Sequence, residues 1–355
     1  MSFEEYDPPS TLVVPEHILT RAKYPFIDVH SHQFRMATQN LDSLIAEMDS
    51  LNMAVMVNLN GRGLSMVDEP DNLTRANETD FLRKSLENIK NSHYSDRLIV
   101  FTNIRYDGIG EPGWVEKTVK QLEADVKWGA RGLKIYKNLG FDVKDQTGQR
   151  VPVDDARLDP IWEKCGELKI PVLIHSGDPA PFWQPKDKYN ERWLELKEKP
   201  ERYRDPAVYP PWEQIMNEQH NVFRKHPNTI FICAHLGWMG NDLARLGKLL
   251  DEIPNMYTEI GAVLAELGRQ PRFAREWFIK YQDRVLFGKD IWQPEEYHVY
   301  FRVLETADEY FNYYRRRHAF WKIYGLDLPD EVLKKLYYKN ALKILPGINK
   351  GLFPD

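Results

Sequence analysis

Ten residues near the start of the chain, FIDVHSHQFR at 26–35, place an acid and two imidazoles at alternate positions: Asp28, His30 and His32. Strand side chains alternate between faces, so in an extended segment these three share one face and Ile27, Val29 and Ser31 take the other. Burying such a row without partners is costly, and a metal ion is the leading candidate for satisfying it. Further along, His175 closes VLIH, His235 closes FICAH and Asp290 closes LFGKD, each at the end of an apolar run. Any one of these is most simply a strand-end hydrogen-bonding residue; the set together is not. Gathered at one place, four imidazoles and a carboxylate form a nitrogen–oxygen shell suited to Zn2+ and acceptable to Mn2+ or iron. Three neutral imidazoles and one carboxylate leave a position for water, whose pKa zinc lowers from ~16 to about 7. A neighbouring carboxylate can then take the proton, and Asp290 fits that role.

Gathering residues so far apart requires a particular scaffold. Short runs rich in β-branched and aromatic residues recur near 27, 57, 101, 134, 173, 232, 258 and 287. Stretches of helical period separate most of them, from LDSLIAEMDSLN to the closing DEVLKKLYYKNALKIL. Gly129 reads as a helix stop and Pro329 as a helix start. Strand and helix alternating eight times predict an α/β fold of the (β/α)8 TIM-barrel class, in which the C-terminal strand ends converge on one site. An open doubly wound sheet is the alternative, but no G-x-G-x-x-G follows the first strand. The expected organisation is an extended N-terminal segment over 1–22 and one barrel domain over 23–355. Two aromatic-rich insertions, 176–212 after strand five and 291–328 after strand eight, fall at the catalytic face. They serve as lids, or they pack on each other or on a second subunit.

Composition narrows the partners. The 355 residues are 42% apolar and 28% charged, a globular balance, with net charge −5 and no basic cluster suited to nucleic acid. Two cysteines exclude a disulfide framework and a thiolate zinc site. No apolar stretch approaches the ~18 residues of a membrane span. The expected partner is a small molecule, with neither nucleic acid nor membrane, and a homo-oligomer stays open. Cytoplasm is the default compartment, a processed secreted or periplasmic form the alternative.

DVHSH, GLKIY, LIHSGD, HPNTIFICAHLG, LFGKD and the terminal NAL together resemble the amidohydrolase superfamily, over about residues 24–346. The resemblance is to its amidohydrolase-related group, which includes aminocarboxymuconate semialdehyde decarboxylase and pyrone-dicarboxylate lactonase. It implies a barrel with one divalent metal, Zn2+ or another such as Mn2+, at its C-terminal face. His30, His32 and His175 would be ligands, Asp290 a further ligand and the proton acceptor, and His235 a neighbour that polarises substrate or shuttles protons. One departure stands out: Lys289 replaces the small hydroxyl residue usual before the aspartate. Alternation turns Lys289 away from the site if Asp290 points in.

Lys134 shares a strand face with Tyr136 and reaches the interior, meets an ion pair low in the barrel, or is carboxylated as in binuclear branches of the superfamily. Glu259 faces the mouth if the barrel forms, and is a candidate to support a metal ligand from behind or to bind substrate. Arg62 and Arg105, after strands two and three, are candidates to clamp a substrate carboxylate or are solvated charges. The expected activity is hydrolysis of a lactone, ester or amide. Decarboxylation of an aromatic or unsaturated acid is the runner-up, and a non-catalytic ligand-binding barrel stands third.

Overall fold

The protein is described from a computed structural model over residues 1–2, 4–62, 79–318 and 320–354. Eight parallel strands form where the apolar runs stand: β1 Phe26–His32, β2 Met53–Asn58, β3 Leu98–Val100, β4 Leu133–Ile135, β5 Val172–Ile174, β6 Phe231–Cys233, β7 Met256–Glu259 and β8 Val285–Leu286. A two-residue strand, β9 at Asp290–Ile291, follows. Pairing runs β3-β2-β1-β9 in one arc and β4-β5-β6-β7-β8 in another. The arcs join at a parallel bridge between Thr102 and Leu133, where Lys134 N donates to Thr102 O at 2.8 Å. On the opposite side Val29 N donates to Phe287 O at 3.0 Å. These two seams close the (β/α)8 barrel.

The strands are buried on both faces, as parallel barrel strands must be. Helices fill the intervals the periodicity indicates, among them Leu41–Leu51, Trp114–Trp128, Trp212–Lys225 and Leu243–Glu252. Gly129 ends the second of these at φ 136°, a value that favours glycine. The closing stretch begins after Pro329 but is not one regular helix: Lys335–Lys339 form a π turn. There the Leu336 carbonyl accepts from Phe287 N at 3.0 Å, tying the turn to the end of β8.

Both insertions contain helix, Trp193–Glu198 in the first and Pro294–Glu305 in the second. They pack on each other. Arg192 bridges Glu195 and Glu266, and Glu195 also meets Arg202 of its own insertion and His318 of the other. Helix Pro294–Glu305 buries Tyr297, Tyr300 and Phe301 against Phe26 and Phe287 under the barrel mouth. Before Ala22 the described residues of the N-terminal segment form neither helix nor strand, and the segment is tethered to the second insertion, His17 N donating to Asp308 and Arg316 to the Tyr6 carbonyl. Among the described residues no helix is long and apolar enough to cross a membrane.

Candidate metal centre

The alternation in β1 brings His30 and His32 to the mouth of the barrel, where their Nε2 atoms lie 3.3 Å apart. β9 pairs with the end of β1, Ser31 opposite Asp290, and sets one Asp290 oxygen 3.5 Å from each of those nitrogens. From the other arc His235 packs its ring 4.9 Å from His30 and 4.6 Å from His175. One ligand atom each from His30, His235 and Asp290 lie within 4.8 Å of one another. His235 is thus as close to the cluster as the three histidines expected to be ligands.

Hydrogen bonds on the far side of each ring set its tautomer. His30 Nδ1 faces Glu259 Oε1 at 2.9 Å, His32 Nδ1 faces Asn60 Oδ1 at 2.8 Å, and His235 Nδ1 faces the Gly261 carbonyl at 2.8 Å. All three partners accept, so each Nδ1 carries the proton and each Nε2 keeps a lone pair. His175 Nε2 is buried without a hydrogen-bond partner. Two lone pairs facing each other at 3.3 Å repel, and a cation between them removes the conflict. Burial, reinforced by the nearby Lys134, lowers His30 well below the usual imidazole range and His32 to about 4, which keeps both in the neutral, ligating form. The donor set therefore fits a divalent transition metal.

Burial pushes the Asp290 carboxyl up, but His30, His235, His32 and Lys134 outweigh it and hold it well below the usual range. Its backbone is strained at φ 91°. So is the turn after β6, where His235, Leu236 and Trp238 have φ of 57°, 52° and 55°. Non-glycine residues held this way cost ~1–3 kcal/mol each and collect at functional sites.

Several expectations are corrected by these positions. Asp28 does not face the metal site: its oxygens accept from the backbone N of His30 (2.9 Å) and Lys289 (3.2 Å) and from the Tyr297 hydroxyl. Of the two places expected for Glu259, it takes the one behind a ligand and not the one against substrate. It is fully buried behind His30 and accepts from His30 Nδ1, His235 N and Gly261 N. A Cβ on Gly288 would lie 2.5 Å from Glu259 Oε2, so the glycine of LFGKD is what lets this carboxylate sit there. Arg62 is not open to a ligand as a clamp, because its guanidinium is buried and bound to Asp125 at 2.7 and 3.0 Å. Arg105 is exposed and pairs with Asp107.

Lys134 does reach the interior. Its Nζ is buried with no hydrogen-bond partner, 5.3 Å from the Tyr136 ring. Burial depresses it to about 7 against the pull of Asp290 and Glu259. Lys289 turns away from the ligands, as expected, and pairs with Glu296. Asn60, Tyr136 and Trp238 are site residues that pattern reading missed. Tyr136 donates to Asn60 and packs 6.0 Å from His32, while Trp238 stacks on His235 at 4.5 Å. The available signal was position: Asn60 stands just beyond β2, and Trp238 three residues after His235.

With this geometry established, comparison with known proteins is informative. A family model described as amidohydrolase matches residues 27–347. Among solved structures, 2,6-dihydroxybenzoate decarboxylase from Rhizobium is 13% identical, with 90% of this chain and 98% of that chain covered at TM-score 0.55. A dihydroxybenzoic acid decarboxylase from Polaromonas sp. JS666, with bound manganese and the inhibitor 2-nitroresorcinol, is 17% identical over 90% and 96% at 0.53. 4-Oxalomesaconate hydratase from Rhodopseudomonas palustris is 14% identical over 90% and 95% at 0.51. No curated protein matches. At these identities the structural likeness speaks for the fold alone, and the match over most of the chain decides the rest: the protein belongs to the amidohydrolase family.

Proposed function

We propose that the chain is a metal-dependent hydrolase acting on a lactone, ester or amide of a small, planar, negatively charged organic molecule. The observation that carries this reading is the Asp290 carboxylate beside two unprotonated Nε2 atoms. Hydrolysis needs a proton acceptor at that point, and Asp290, kept ionised by its neighbours, is free to accept one. A divalent ion held by His30, His32, His175 and Asp290, Zn2+ or Mn2+, supplies Lewis acidity that polarises a carbonyl and acidifies water.

Asp290 takes the proton as water adds to the carbonyl and delivers it to the departing oxygen or nitrogen. His235, with Nδ1 committed to Gly261, offers Nε2 as a second proton carrier on the substrate side. With Arg62 engaged elsewhere and Arg105 paired at the surface, recognition of negative charge falls to Lys134, whose buried Nζ has no hydrogen-bond partner and which a bound anion would favour in its charged form. Tyr136 and Trp238, packed on His32 and His235, supply flat walls.

Decarboxylation is the second reading, favoured by the two decarboxylases among the similar structures. It asks for a proton delivered to carbon, and the same five residues would serve. Incubating the zinc- or manganese-loaded protein with lactones, esters, amides and aromatic acids separates the two. Opened lactone, or released alcohol or amine, supports hydrolysis. Release of CO2 from an acid, with no hydrolytic activity, overturns it.

A further inference from the structure

The residue that departs from the usual pattern, Lys289, is pinned at every polar atom. Its backbone N donates to Asp28 Oδ1 at 3.2 Å, and its carbonyl accepts from the Tyr300 hydroxyl at 3.4 Å. Its Nζ donates to the Ile291 carbonyl at 2.5 Å and to Glu296. The side chain is fully buried, with Nζ 5.6 Å from the Tyr297 ring centre and 5.7 Å from that of Tyr314. The bond to Ile291 O spans Asp290, closing a small ring around the residue whose φ is 91°.

Helix Pro294–Glu305 supplies most of these partners. Glu296 meets Lys289, Tyr297 meets Asp28, and Tyr300 reaches both Lys289 O and Ala262 N. Glu296 is held in turn by Arg315, farther along the same insertion, at 3.2 Å. One face of the insertion thus fixes the backbone on both sides of Asp290 and the loop after β7 that carries the Gly261 carbonyl used by His235.

We propose that Lys289 is a positioning residue for the metal: it holds Asp290 in its ligating conformation by tying residues 289–291 to the second insertion. This rests on the reading that Asp290 is a ligand. Coupling between two sites is reciprocal, so metal binding in turn orders helix Pro294–Glu305.

The test titrates Zn2+ and Mn2+ alone into the chelator-stripped full chain, comparing wild type, Lys289→Met, Lys289→Arg and Asp290→Ala. Arg315 remains beside Glu296 in Lys289→Met, so no buried carboxylate is stranded. Loss of a residue supporting a ligand weakens metal binding by about 10–100-fold, and that loss is expected for Lys289→Met, with partial recovery in Lys289→Arg. Hydrogen exchange of amides 294–305 should slow on metal addition in wild type and change little in Lys289→Met. A metal Kd unchanged in Lys289→Met but raised in Asp290→Ala overturns the inference, even if the metal-free Tm falls. A Kd unchanged in both removes the ligand reading and the inference with it. Should Lys289→Met fail to fold, Glu296→Gln is expected to raise the metal Kd in the same direction, and an unchanged Kd there overturns the proposal.

Discussion

Replacing Glu259 by Gln should weaken metal binding although Glu259 is not itself placed to bind the ion. The carboxylate takes three donors: His30 Nδ1 at 2.9 Å and His235 N at 2.7 Å on one oxygen, Gly261 N at 2.5 Å on the other. A glutamine has one acceptor oxygen and one NH2 group. If the oxygen stays with His30, the NH2 opposes the Gly261 N–H, and a buried donor without an acceptor costs ~1–3 kcal/mol. If the amide turns over, His30 must move its proton to Nε2, the atom that faces His32 and Asp290. Either route works against the ligating tautomer. Substitutions behind a metal-bound histidine weaken affinity about 10–100-fold, or about 1.4–2.8 kcal/mol at ~1.4 kcal/mol per decade, which is the scale of one stranded donor. Calorimetric titration of Zn2+ into chelator-stripped Glu259→Gln, against wild type and the exposed control Glu309→Gln, reads the effect directly. A Kd within twofold of wild type, with only a lower metal-free Tm, would show that Glu259 supports the barrel and not the metal.

Asp290→Asn should reduce turnover by about 10²–10⁴-fold, the usual contribution of a positioned proton acceptor; steady-state kinetics with metal affinity measured in parallel checks it, and retained kcat would exclude Asp290 as the base. Arg62→Met should destabilise the fold by about 3–5 kcal/mol by stranding buried Asp125, seen in urea unfolding; a raised KM with intact stability would instead restore the substrate clamp. Glu195 is held well below the usual carboxylate range of 4.5, since His318, Arg192 and Arg202 outweigh the upward push of burial. Its stabilising contribution is therefore complete above about pH 4.5 and lost as pH falls below that value. Glu195→Gln should flatten the acid limb of the stability curve, and parallel limbs in the two proteins would refute the linkage.

Much of the scaffold was legible because local pattern and global fold agree. Each apolar run became a strand, and the H-x-H alternation correctly put His30 and His32 on one face. Strand-end position likewise brought His175, His235 and Asp290 to the same mouth from both arcs. What failed was partner assignment across long sequence separations. The register of β1 shifts between Asp28 and Ser31, so Asp28 leaves the histidine face and finds Tyr297, 269 positions away, and Arg62 finds Asp125, 63 positions away. Glu259 reads as mouth-facing from its strand, yet a glycine on the neighbouring strand end admits it behind His30. Nothing in a period-two or period-3.6 pattern encodes which buried charge meets which. The insertions were ambiguous for the same reason: aromatic content suits a lid and a packed interface equally, and contacts such as Glu195–His318 and Glu198–Arg317 separate the two.

The barrel's two arcs meet at two seams, and the candidate ligands are divided between them. His30, His32 and Asp290 belong to the arc β3-β2-β1-β9, while His175 and His235 follow strands of β4-β5-β6-β7-β8. An ion at this centre is therefore also a staple across the sheet, acting on the unfolded chain much as a long-range disulfide does in a protein whose two cysteines are both buried and unpaired. Chelation would remove a cross-link as well as a catalyst.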